Sequence, residues 1–233
     1  IGKVILVLVL SLVVFFASAM LLPLDPGPKA RSLATEDFGL GFKAGDEWIP
    51  ETFEAAMKAN AVPAVRQHIV EDVGVAWGEW VDNKGSLYIS TSTDYMQDWT
   101  YISDIKITSY LTTAEGAPKP SPDIYAGVGL KAKLLYPQVV SKQGIGFGAD
   151  EKEVVSTYGK PMFRLEYNDP YHRPILVYAT DKQLVCFGFT KGVLTHMDTI
   201  TFYRSKYMNR FVAWAGFFLH HQVERLVDST EMM

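Results

Sequence analysis

Hydrophobic positions are spread unevenly along this chain, and their spacing changes from stretch to stretch. Residues 4–22 (VILVLVLSLVVFFASAMLL) contain no charge and only two serines. At about 1.5 Å per residue such a run reaches roughly 28 Å as a helix, close to the hydrocarbon thickness of a bilayer. Lys3 precedes the run and the next basic residue is Lys29. The positive-inside rule therefore keeps the N-terminus in the cytoplasm and exports the remainder. Two fates follow. Ala17-Ser18-Ala19 has the small-x-small form of a signal-peptidase site, which would release the chain after Ala19. Left uncleaved, residues 1–22 form a signal anchor. A buried core helix is the plain alternative, but core helices of soluble domains are seldom apolar on every face.

Pro23 to Pro28 (PLDPGP) cannot continue a helix and reads as a stiff linker, and residues 116–122 (GAPKPSP) form a second break. Between them, residues 50–60 read as a short helix with Phe53, Ala56 and Met57 inward, followed by strands near 75–81, 86–92 and 101–110. The sharpest local signal lies at Asp150-Glu-Lys-Glu-Val-Val-Ser-Thr-Tyr-Gly-Lys-Pro161. Asp150 and Glu153 have capping-box spacing, Val154, Val155 and Tyr158 share one helical face, and Gly159 with Pro161 closes the helix. Strand-like stretches follow at 163–167, 175–180, 184–190 and 193–202, separated by turn residues. Such short connections favour an antiparallel meander. Residues 205–227 read as a helix with Phe211, Trp214, Ala215, Phe218, Val223 and Leu226 along one stripe. The fully apolar part of that tail is too short to span a bilayer, so it would dock on the sheet, on a partner or on the membrane surface.

Composition narrows the function. The 233 residues are 48% apolar and 21% charged with a net charge of -4, which suits a packed core and gives none of the basic footprint that nucleic-acid binding needs. The single cysteine, Cys186, rules out an intrachain disulfide, and no lipid-accepting cysteine follows the apolar run. Cys186 sits in an apolar strand, where a buried inert thiol is the simpler reading. The five histidines, His68, His172, His196, His220 and His221, fall in no HExxH pattern. His68 with Glu71 and Asp72 would offer a ligand pair only if helical, and Asp169-Pro-Tyr-His172 reads as a turn. Gly144, Gly146 and Gly148 lack the lysine of a phosphate loop and read as tight turning before the capped helix. No catalytic, cofactor-binding or metal-binding residue is assigned. Aromatics make up 13% of the chain. Tyr95 and Trp99 fall in an apparent loop and Tyr101 opens the strand after it. As an exposed aromatic surface the three would suit a protein or glycan partner, since both favour flat aromatic contacts.

Gly144-Ile-Gly-Phe-Gly-Ala-Asp-Glu-Lys-Glu-Val155, then Tyr158-Gly-Lys-Pro161 and Phe187-Gly-Phe-Thr-Lys-Gly-Val193, resemble the repeat of SmpA/OmlA (BamE-like) and β-lactamase-inhibitor-protein-like envelope domains. The upstream Trp48-Ile-Pro-Glu-Thr-Phe-Glu-Ala-Ala resembles an element of exported Firmicute proteins of unknown function. The resemblance covers residues 144–204 and its motifs are structural. It implies a scaffolding or protein-binding role and supplies no catalytic residue.

The expected fold is α+β: an N-terminal membrane helix, two helix-plus-antiparallel-meander subdomains and a C-terminal helix. The expected segments are 1–22, a linker 23–35, subdomains 36–115 and 123–204, and a tail 205–233. The expected role is a noncatalytic, membrane-tethered interaction module on the extracytoplasmic side of a bacterial envelope, with another envelope protein as partner and no cofactor. An envelope hydrolase whose residues converge only in three dimensions, or a structural subunit of a membrane assembly, are the competing readings.

Overall fold

The computed structural model describes residues 11, 14, 27–72, 75–82, 87–93, 100–109, 122–166, 174–180 and 183–201. The rest of the apolar run 4–22 and the tail 205–233 lie outside these. A helical turn, Gly27–Ala30, runs into a 3-10 turn, Arg31–Thr35, and three longer helices follow: α1 (Pro50–Ala59), α2 (Pro122–Leu135) and α3 (Glu151–Tyr158). The strands are β1 (Val65–Asp72), β2 (Val75–Val81), β3 (Leu87–Thr93), β4 (Ile102–Ser109), β5 (Phe163–Glu166), β6 (Pro174–Ala179), β7 (Gln183–Thr190) and β8 (Val193–Thr201).

All eight strands belong to one sheet, in the order β1-β2-β3-β4-β8-β7-β6-β5. Every neighbouring pair is antiparallel. This corrects the expected architecture. β4 and β8 pair from Asp104↔Ile200 to Thr108↔His196, so the two runs of strands share a hydrogen-bonded seam and do not close as two subdomains. The fold is dominated by its sheet. Among the described residues no helix is long and apolar enough to cross a membrane.

The registers reveal why one sheet is favoured. Paired residues lie on the same face, so a row can be followed across all the strands. One row reads Arg66, Trp80, Ile89, Ile107, Met197, Phe187, Leu176 and Arg164. Its six inner members are buried and belong to a single apolar cluster. Leaving the seam unpaired would cut this row between Ile107 and Met197 and expose both. The helices cover the same face. Phe53 of α1 packs edge-on to Trp80 (centroids 6.0 Å apart) and stacks on Phe42 (4.7 Å). Tyr158 of α3 stacks on Phe187 (5.5 Å), and Ala132 and Tyr136 bring the end of α2 into the cluster. The edge arginines each reach a helix: Arg66 bonds Glu51 (3.0 Å) and Glu54 (2.5 Å) of α1, and Arg164 bonds Glu151 (2.9 Å) of α3.

Local chemistry sets the helix ends. Pro50 opens α1 after extended Ile49, where a missing N–H costs nothing. At α3 the capping box forms, with Asp150 accepting from the Glu153 N–H and Glu153 accepting from the Asp150 N–H, both at 2.8 Å. Two loops lock together beside it. The Glu36 carboxylate is buried and accepts from the N–H groups of Phe38 (3.0 Å) and Lys142 (3.2 Å). The Tyr158 hydroxyl donates to Ser141 Oγ, and burial pushes its pKa up to about 12. Gly39 has φ +75°, and a Cβ there would sit 2.1 Å from the Gln138 carbonyl oxygen, so no other residue fits this close approach.

Burial holds the Glu36 carboxyl above its ordinary value of 4.5, against the two N–H donors that lower it. A carboxyl raised in the folded state binds its proton more tightly there than when unfolded. Its contribution to stability is complete below pH 4.5 and is lost as pH rises through the folded value. Glu36→Gln should therefore flatten the fall in stability as pH rises above 4.5, read by urea unfolding of the full chain across a pH series. An unchanged pH profile would show that Glu36 does not carry this dependence.

Candidate functional site

The face of the sheet away from the helices has its own rows. The middle one reads His68, Glu79, Ser90, Lys106, Asp198, Cys186, Val177 and Phe163. It is polar from β1 to β8 and apolar from β7 to β5. The apolar end joins Ile175, Val177, Ala179, Leu184, Cys186 and Ile200 in a second cluster. At the seam the charges concentrate. Lys106 stands directly across from Asp198, and Asp104 across from Ile200. Thr108 Oγ1 lies 3.0 Å from His196 Nδ1. Asp104 and Asp198 are both buried, and these two, Lys106 and His196 all have partners in addition to those named here. Buried carboxylates are tolerated only when paired and hydrogen-bonded. The alternation that builds this strip is visible in β4, where Asp104, Lys106 and Thr108 interleave with Ile105 and Ile107. Sequence reasoning read that stretch as a strand without asking what the polar set was for.

His196 and Asp198 point to the same face, two residues apart on β8. His68 lies far from them. It sits on β1 against Trp77 (ring centroids 5.0 Å), and β2, β3 and β4 intervene, a separation of roughly 19 Å at about 4.8 Å per strand step. His68, Glu71 and Asp72 are in a strand, so the helical ligand spacing does not arise. His172, His220 and His221 lie outside the described residues. Cys186 is a buried thiol in no disulfide. Among the described residues no three His, Cys, Asp or Glu side chains gather so as to hold a metal ion.

Of the expected partner surface, Tyr95 and Trp99 lie outside the described residues and Tyr101 is placed. Tyr101 forms an isolated antiparallel bridge with Glu47. The bridge is framed by hydrogen bonds from Trp48 N–H to the Thr100 carbonyl (2.8 Å), Gly45 N–H to the Ile102 carbonyl and Ile102 N–H to the Asp46 carbonyl (both 2.9 Å). Tyr101 and Ile49 are each 39% exposed, while Trp48 packs inward against the core beside Phe53 (5.5 Å). The Trp48 indole N–H is buried with no acceptor among the described residues. The result is a rigid corner with large apolar side chains on its outside. A second exposed apolar set, Ile124, Leu130, Leu134 and Leu135, lies on α2. Sequence reasoning missed it together with its helix.

If the seam strip holds the sheet together, removing its buried carboxylate should cost more than removing a half-buried one from the same row. Asp198→Ala is expected to destabilise the chain by about 2–4 kcal/mol, whereas Glu79→Ala should cost no more than about 1 kcal/mol. Equal effects in denaturant unfolding would remove the special status of the seam.

Compared with protein-family models, with curated proteins and with solved structures, the chain matches none.

Proposed function

We propose that this chain is a noncatalytic interaction or scaffolding module, tethered by residues 4–22 and carried on the extracytoplasmic side of a bacterial cell envelope. The observation that carries the interaction reading is the Glu47–Tyr101 corner. Its backbone is fixed by several hydrogen bonds, so Tyr101 and Ile49 are presented with little ordering left to do on binding, and an amphipathic aromatic of this kind suits a protein contact. The tether reading draws on the uncharged run and the position of Lys3, and the likeness of residues 144–204 to envelope repeats suits the same compartment.

A second reading, an envelope hydrolase, draws on one observation: His196 shares a face with Asp198 and Lys106. Against it, Asp198 is 1% exposed and His196 Nδ1 already meets Thr108. Both suit a structural strip better than a group that must meet substrate.

The test is a photo-crosslinking residue placed at Tyr101 in the full-length protein in intact cells, with Gln67 on the exposed edge strand as a control. A discrete adduct from position 101 and none from 67 is expected, and Tyr101→Ala should keep the thermal midpoint while weakening capture of the same partner. No adduct at 101, or the same adducts from both positions, would count against this surface.

A further inference from the structure

The helix α2 is unusual in being apolar on both sides. Val128, Ala132 and Tyr136, spaced by one turn, are buried toward the sheet. On its outer side Ile124, Leu130, Leu134 and Leu135 are exposed, Leu134 by 81%. Lys131 and Lys133 are exposed among them, and the helix's one acid, Asp123, is paired with Lys191. The outer face is therefore apolar with a net basic rim. A large apolar side chain left in water forfeits about 2 kcal/mol that burial would return, so a partner is expected to cover this face.

The position of the tether indicates which partner. The chain is already docked at Gly27–Thr35: Ala30 and Leu33 are buried, Lys29 Nζ donates to the Ser156 carbonyl of α3 (2.9 Å), and Gln183 bonds the Leu33 carbonyl. Only Pro23, Leu24, Asp25 and Pro26 separate this dock from the apolar run. Fully extended, that stretch reaches about 17 Å, about the radius of gyration of a domain this size. The tethered domain cannot stand clear of the bilayer, and it must turn the side carrying Gly27 toward it. That side is the helix layer. The same layer holds α2, because a Cβ at Gly148, next to the α3 cap, would meet Lys133 and Leu130.

We infer that the outer face of α2 lies on the bilayer into which residues 4–22 insert, with Leu130 and Leu134 among the acyl chains and Lys131 and Lys133 at anionic headgroups. The inference rests on the tether reading above. It makes the domain a surface-lying module of fixed orientation, with the helix layer down and the opposite face of the sheet turned away from the bilayer. Long basic side chains flanking an apolar stripe are the chemistry of interfacial helices.

Because Cys186 is the only cysteine and is buried, a cysteine introduced on the surface can be labelled selectively. The full-length protein would carry an environment-sensitive dye at Leu134→Cys or, as control, at Gln67→Cys. It would be reconstituted in vesicles of equal parts phosphatidylcholine and phosphatidylglycerol, with and without brominated acyl chains. Bromolipid quenching at least about threefold stronger at position 134 than at 67 is expected, weakened when Lys131 and Lys133 are both changed to Gln or when phosphatidylglycerol is omitted. If the protein floats with the vesicles but position 134 is quenched no more than 67, the tether stands and α2 does not lie on the bilayer. A blue-shifted but unquenched dye at 134 would mean that a protein surface, either the tail 205–233 or a second copy, covers α2 instead, and would equally overturn the inference. Failure to float at all would remove the tether reading itself.

Discussion

The pairing of β4 with β8 is the constraint on which the rest of the structure depends. These strands are distant in sequence, and closing so long a loop costs conformational entropy before any contact offsets it. What offsets it is the continuity that the seam creates. Ile107 faces Met197 on the helix side, and Lys106 faces Asp198 on the other. Through that one pairing, the apolar row from Trp80 to Leu176 becomes a single core under α1 and α3, and the seam polar groups gain neighbours. An unpaired β4 and β8 would each present an edge with half-buried charges and bare isoleucines, which neither water nor a core accommodates.

The two true edges are managed differently from the seam. β1 carries a bulge between Arg66 and His68 and a run of exposed, largely polar residues, while β5 is only Phe163–Glu166. Short, bulged or charged edges resist further strand addition. Arg66 and Arg164 stand at opposite ends of one row and reach glutamates on α1 and α3, so each edge is tied to the helix above it. These ion pairs are largely solvent-exposed and contribute little energy individually. Their value lies in covering the flanks of Trp80 and Leu176 with aliphatic stems.

The parts of this fold legible in the sequence are those specified within a few residues. α3 is declared by Asp150, Glu153 and Gly159, and β6, β7 and β8 by apolar runs between turns. β1 was not legible, because Val65 is exposed alongside Arg66, His68 and Glu71 and the alternation is hidden at an edge. α2 was not legible because Leu130 and Leu134 face outward while Val128 and Ala132 face inward, so no polar stripe marks its period. The single sheet was not legible at all from local patterns. Two antiparallel runs look alike whether they close separately or join, and the pairing of Lys106 with Asp198 across the join is seen only once both strands are placed. Of the aromatic surface, Tyr101 is held by the bridge to Glu47, a distant segment that no local pattern connects to it.

A molecule built on one long-range seam should behave as one cooperative unit, and that is open to direct measurement. Native-state hydrogen exchange on the full chain, resolved to peptides covering β4, β8, β2 and β6, reports the free energy at which each opens. β4 and β8 are expected to open only with global unfolding, and β2 and β6 to lose protection in the same event. Retention of protection in β6 and β7 after β2, β3 and β4 have opened would mean that the two strand runs are separate units, and would contradict the seam as the basis of the fold.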